Sequence, residues 1–207
     1  MELSVSILNA KEKEEMIKLL NNTDISYIHL DVMDGVFVKK KSLSIDEIIQ
    51  LSKISEKKLD VHLMVENPLE YIENIKIISN IEYITIHLEI DKDIKNILST
   101  IRELGFKTGL SIKPNTDIGA ILPYLGDIDL VLLMTVEPGL GGQTFIEDSI
   151  VRLKELKRTI NDDIKIEVDG GINNSTIKYV FDADIAVVGS YITTSDNPVD
   201  KIKSLLV

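Results

Sequence analysis

The sequence predicts a closed (β/α)8 barrel, and three observations lead there. Short β-rich runs alternate with longer amphipathic stretches along all 207 residues, and eight strand-like runs can be marked. No composition break and no Pro/Gly-rich linker interrupts them, so the chain reads as one catalytic domain over residues 1–207. Eight is also the number of units at which such a sheet closes on itself.

The strand-like runs are Leu3–Leu8, Tyr27–Val32, Leu59–Met64, Tyr83–His87, Thr108–Ile112, Leu130–Thr135, Ile164–Val168 and Ile185–Val188. Between them lie the helical periods Lys11–Leu20, Ile45–Ile54, Pro68–Ile78, Asp91–Leu104, Ile146–Ile160 and Ser175–Phe181, with Pro198–Leu206 after the eighth strand. Asp117–Leu122 is a short candidate for the fifth helix. The structural competitor is a doubly wound open sheet, but no Gly-x-Gly-x-x-Gly fingerprint follows the first strand.

The totals exclude several function classes. A hydrophobic content of 44% supplies a sizeable core, whereas a formal charge of −11 would be repelled by a nucleic-acid backbone or an acidic membrane. A small phosphorylated substrate stays compatible, because a local nest of N–H donors is enough to hold it. With no Cys there are neither disulfides nor thiolate ligands. The start lacks a signal-peptide pattern and no apolar run approaches membrane-spanning length, so the expected location is the cytoplasm.

The chemistry gathers at strand ends. Side chains alternate along a strand, so His29 and Asp31 share one face, and His62 and Met64 repeat that arrangement one unit later. His87 and Glu89 have the same spacing, so all three His of the chain lie in or at the ends of strands 2, 3 and 4. In a barrel such residues face the mouth that houses active sites. Asp169, near the end of strand 7, completes two Asp and two His from three strand ends, a ligand set for one divalent cation. The two Asp could also move protons. Three glycine-bearing loops follow strands 6, 7 and 8, where barrels commonly hold phosphate, and Arg102 and Arg158 fall in predicted helices. The expected anion site is therefore made mainly of backbone donors.

These residues resemble the ribulose-phosphate 3-epimerase family over nearly the whole chain, from Ser6-Ile7-Leu8 to Val188-Gly189-Ser190. Asp31-Val32-Met33-Asp34-Gly35, His62-Leu63-Met64-Val65, Met134-Thr135-Val136-Glu137-Pro138-Gly139-Leu140-Gly141-Gly142-Gln143 and Val168-Asp169-Gly170-Gly171 stand in the family's order and spacing. The resemblance implies that His29, Asp31, His62 and Asp169 ligate one divalent metal per subunit (Zn, Fe(II), Mn or Co). It implies that Asp31 and Asp169 also transfer protons. Ser6 and His62 would contact substrate, as would Gly139, Gly141, Gly142, Gln143, Gly170, Gly171, Gly189 and Ser190. Met33, Met64 and Met134 match the family's active-site methionines. A homo-oligomeric isomerase of the pentose phosphate pathway, acting on a phosphorylated ketose, is what the family implies.

Such chemistry suits the residues. Epimerising the carbon beside a ketone removes a proton from one face and returns one to the other, so two acid/base groups are expected. A Lewis acid would stabilise the enediolate between these steps. The leading expectation is interconversion of D-ribulose 5-phosphate and D-xylulose 5-phosphate. Gly139-Leu140-Gly141-Gly142-Gln143 and Asp169-Gly170-Gly171 differ from the Gly-Phe-Ala-Gly-Gln and Asp-Gly-Ser of D-allulose 6-phosphate 3-epimerases, the nearest alternative. A non-catalytic phosphosugar-binding barrel is the other, and it would need neither acid. The chain departs from the family at Val36-Phe37-Val38-Lys39-Lys40-Lys41, where Phe-Val-Pro-Asn is usual; losing the proline is expected to loosen that loop. Val5, Leu140 and Ser44 stand where proline, phenylalanine and glycine are common.

Overall fold

The computed structural model describes residues 1–206. Eight strands pair in parallel and in sequence order, and the last closes on the first. They are β1 (Glu2–Ser6), β2 (Tyr27–Met33), β3 (Lys58–Met64), β4 (Ile81–His87), β5 (Lys107–Ile112), β6 (Leu130–Met134), β7 (Lys165–Asp169) and β8 (Ile185–Val188). Outside run α1 (Lys13–Asn21), α2 (Ile45–Ile54), α3 (Pro68–Ile75), α4 (Ile94–Glu103), α5 (Ser149–Thr159), α6 (Ser190–Thr193) and α7 (Pro198–Lys203). The (β/α)8 barrel read from the sequence is the observed fold.

Two faces of each strand do different work. On β2, Ile28, Leu30 and Val32 are fully buried and join Ile17 and Leu20 of α1 and Ile48 and Leu51 of α2 in one apolar cluster. Each such side chain contributes about 1.5–3 kcal/mol by leaving water, so this sleeve between sheet and helices holds the fold. The inward residues change character with height. At the lower end Tyr27 and Tyr83 meet edge to face, 5.8 Å between centroids, beside Leu130 and Ile185. One register step higher the barrel becomes polar: His29 stands opposite Asp60, then Asp31 opposite His62, then Met33 opposite Met64.

The connections differ from the helical periods in three places. The fifth connection is a 3₁₀ segment, Ile118–Tyr124, that carries Pro123, whose ring cannot extend an α-helix. Ser175–Phe181 contracts to the 3₁₀ turn Ile177–Tyr179, because the Asn173 side chain accepts from Ser175 N and Thr176 N and draws the backbone into a local turn. The short α6 between β8 and α7 has no counterpart among the helical periods.

Candidate active site

Asp31, His62 and Asp169 come from the upper ends of β2, β3 and β7, with His29 one step lower on β2. One donor atom from each of the four lies within 4.8 Å of the others. His29 Nε2 and His62 Nδ1 each stand 3.5 Å from Asp31 Oδ1, and His62 Nδ1 stands 4.0 Å from Asp169 Oδ2. Both nitrogens are buried without a hydrogen-bond partner. An orphaned buried nitrogen is costly, and two that both face Asp31 ask for a shared partner. Donors about 2.1 Å from one tetrahedral ion stand roughly 3.4 Å apart, close to the observed separations. The residues therefore fit a divalent cation.

Each histidine is held from behind. His29 Nδ1 lies 2.6 Å from Asp60 Oδ2, which also accepts from Ser4 Oγ at 2.8 Å. His62 Nε2 lies 2.9 Å from His87 Nε2, and His87 Nδ1 lies 3.0 Å from Glu89 Oε2. Ser6 Oγ donates to Asp31 Oδ2 at 2.6 Å, so the serine expected to touch substrate also fixes an acid.

The electrostatics are lopsided. Burial raises Asp169 to about 7, and the neighbouring charge of Asp31 adds to the effect. Asp31 feels burial too, but the charge and hydrogen bond of His29 outweigh it and hold Asp31 below the usual range. Burial likewise pushes Glu167 well above its ordinary value, with Asp60 reinforcing it. Asp60 falls instead, because His29 overcomes its desolvation. Four carboxyl groups, three buried and Asp169 partly exposed, crowd about His29, and a cation is the charge this cluster lacks.

Above the cluster opens a cleft of about 410 Å³ lined by Ser6, Asp31, Asp169 and all three predicted methionines, Met33, Met64 and Met134. Gly139, Gly141, Gly142, Gln143, Gly170, Gly171, Gly189 and Ser190 form its other side. His29 and His62 lie beneath, fully buried. Gly171 takes φ +68°, and a Cβ there would sit 2.4 Å from the Phe145 backbone nitrogen, so the loops after β6 and β7 touch only because this residue has no side chain. Gln143 Nε2 donates to Glu137 O and Leu140 O, pinning the glycine loop from within. Arg152, which the sequence expectation left out, donates to Lys113 O and Thr116 O, away from the glycine loops.

The loop after β2 is not left loose by its missing proline. Asp34 accepts from Val36 N, Phe37 N and Glu66 N, and Ser44 forms a capping box with Glu47 at the start of α2. Phe37 lies over His87, ring centroids 4.7 Å apart.

Sequence reading missed Asp60, Glu167 and Asn9. The first two were within reach, since each stands two positions before a proposed ligand and so points inward one layer deeper. Asn9 packs against Gly141, where a Cβ would meet its amide at 2.4 Å; no local pattern announces that contact.

The ribulose-phosphate 3 epimerase family profile matches residues 2–193. The chain belongs to that family. The ribulose-phosphate 3-epimerase of Aquifex aeolicus (strain VF5) is 40% identical to it over 187 residues, 86% of this chain and 84% of the relative. Those of Methanocaldococcus jannaschii, 36% identical over 98% of this chain and 88% of the relative, and of Oryza sativa subsp. japonica (cytoplasmic isoform), 33% over 95% and 86%, align nearly end to end. Among solved structures, KGPDC from Streptococcus mutans superposes with TM-score 0.75 at 12% identity, covering 99% of this chain and 95% of that one. The 3-hexulose-6-phosphate synthase of Salmonella typhimurium gives 0.70 at 20%, covering 99% and 96%. At such identities these two likenesses establish the barrel alone.

Proposed function

We propose that this protein is a metal-dependent isomerase that interconverts D-ribulose 5-phosphate and D-xylulose 5-phosphate at C3. One observation carries the reading: two carboxylates and two orphaned imidazole nitrogens converge at the floor of a cleft whose far side is three glycine-bearing loops. Family membership supplies the substrate.

Asp31 and Asp169 work as a pair from β2 and β7, three steps apart around the closed ring of strands. One carboxylate takes the C3 proton from one face of the sugar, leaving an enediolate, and the other, as a carboxylic acid, returns a proton to the opposite face. After turnover their protonation states have exchanged, which is the starting arrangement for the reverse reaction. A placed acid or base of this kind contributes roughly 10²–10⁴ in rate. Held by His29, His62, Asp31 and Asp169, a divalent ion would supply Lewis-acid stabilisation of the charge developing on the ketone oxygen. The nitrogen and oxygen donors suit zinc, iron(II), manganese or cobalt.

Met33, Met64 and Met134 give the reacting carbon an apolar lining that adds no competing proton donor. Gly139 to Gln143, Gly170-Gly171 and Gly189-Ser190 are the proposed phosphate cradle, with backbone N–H groups as donors. Ser6 orients Asp31 and borders the substrate. The same reading places the enzyme in the cytoplasm and has it work as a homo-oligomer, on the strength of family membership.

Incubation in D₂O with metal and D-ribulose 5-phosphate should place deuterium at C3 as D-xylulose 5-phosphate forms. Binding without any exchange would reduce the protein to a phosphosugar-binding barrel. Faster turnover of D-allulose 6-phosphate would assign the six-carbon substrate instead.

A further inference from the structure

Behind His62 runs a line of hydrogen bonds that the proton-transfer scheme does not use. His62 Nε2 meets His87 Nε2 at 2.9 Å, and His87 Nδ1 meets Glu89 Oε2 at 3.0 Å. The other oxygen of Glu89 accepts from Lys113 N at 2.7 Å and from Thr116 Oγ at 2.5 Å. Arg152 holds this loop in turn through Lys113 O and Thr116 O. Phe37 and Lys113 close over the line, the Lys113 ammonium 4.1 Å from the Phe37 ring centroid.

The polarity of the line follows from counting protons. Both imidazoles are fully buried, and the two nitrogens that meet, His62 Nε2 and His87 Nε2, have room for only one proton between them. Burial disfavours a charged ring, so each imidazole carries one N–H and one lone pair. Burial alone would raise Glu89, but donation from His87, Lys113 N and Thr116 outweighs it and brings Glu89 to about 2. An ionised carboxylate only accepts, so His87 must carry its proton on Nδ1. Its Nε2 is then a lone pair, so His62 must carry its proton on Nε2. The remaining lone pair of His62 is on Nδ1, the atom that faces Asp31 and Asp169.

We propose that Glu89, acting through His87, is the positioning residue that fixes the tautomer of His62 and so turns the Nδ1 lone pair into the site. This deepens the metal-site reading above and rests on it for its consequence, while the tautomers themselves do not depend on it. Asp60 holds the Nδ1 side of His29 by direct contact, whereas Glu89 acts across an intervening imidazole.

Glu89→Gln gives the test. Lys113 N–H can only donate, so the new amide must keep its oxygen there and turn its NH₂ toward His87 Nδ1. That reverses every donor in the line and puts the His62 proton on Nδ1, facing the site. In metal-free full-length protein, ¹⁵N spectra of the histidine side chains should show wild-type His62 protonated on Nε2 and His87 on Nδ1. Both should be reversed in Glu89→Gln. Zinc affinity, measured by competition with a chelator, should fall roughly 10–100-fold in the variant, with circular dichroism unchanged. Wild-type His62 protonated on Nδ1, or a folded variant with unreversed tautomers and zinc affinity within about threefold of wild type, would overturn the assignment. The wild-type spectra decide it even if the variant fails to fold. A wild type with the expected tautomers that binds no zinc would instead refute the metal reading.

Discussion

Single residues here are asked to do opposite things in nearly the same place. Asp31 and Asp169 share the floor of one cleft, yet His29 lowers the first while burial and Asp31 itself raise the second to about 7. Replacing Asp169 by Asn keeps its shape and removes its proton capacity. We expect Asp169→Asn to lose at least about 10²–10⁴ of turnover while the barrel stays folded, checked by steady-state kinetics beside circular dichroism. Near-normal rates in that variant would remove the two-acid scheme. Glu89 carries a pH signature of its own. Its folded value of about 2 lies below the ordinary 4.5, so the stability it contributes is fully present above 4.5 and drains away as the pH falls toward 2. Urea denaturation between pH 5 and 2 should show a shallower decline in Glu89→Gln than in wild type, if that variant folds.

At the scale of elements, the site depends on where strands stop and loops turn. Ser44 caps α2 with its own hydroxyl while Glu47 reaches back to its backbone N–H. Removing that cap by Ser44→Ala should cost about 1 kcal/mol of stability, read from the shift of the urea midpoint at constant slope. The loop ahead of the cap carries Phe37, whose ring rests on His87, so its order bears on the hydrogen-bond line behind His62. The contracted turn after β7 shows the reverse case. The period Ser175–Phe181 has helical spacing, but Asn173 captures its first N–H groups, a competition that propensity does not register.

For the molecule as a whole, the barrel brings together charges that would repel one another in an open chain. Asp31, Asp60, Glu167 and Asp169 sit inside a closed ring of strands, gathered about His29. A cation bound only by the folded state should stabilise it by about 2.7 kcal/mol at a hundred times its dissociation constant. For a chain of this length that is a rise in Tm of roughly 5–10 °C. Scanning calorimetry of chelated and zinc-loaded protein would measure it, and coincident curves would argue against a metal at this site.

The barrel and most of its strand ends were legible in sequence because burial on both faces of a strand leaves a short apolar run whose length and spacing survive in the chain. The chemistry-bearing Asp and His were legible for a related reason: a polar residue in such a run has few places to point except inward. Asp60 and Glu167 obey that rule and could have been read from it. What the sequence could not hold were the contacts made across the assembled barrel. Closing the ring sets β2 and β7 around one cavity, turns His62 against His87 and Glu89 toward the loop that Arg152 holds, and lays Asn9 beside Gly141. Alternation says only that a side chain faces the barrel axis. Which side chain it meets there is fixed by register and curvature, properties of the assembled sheet.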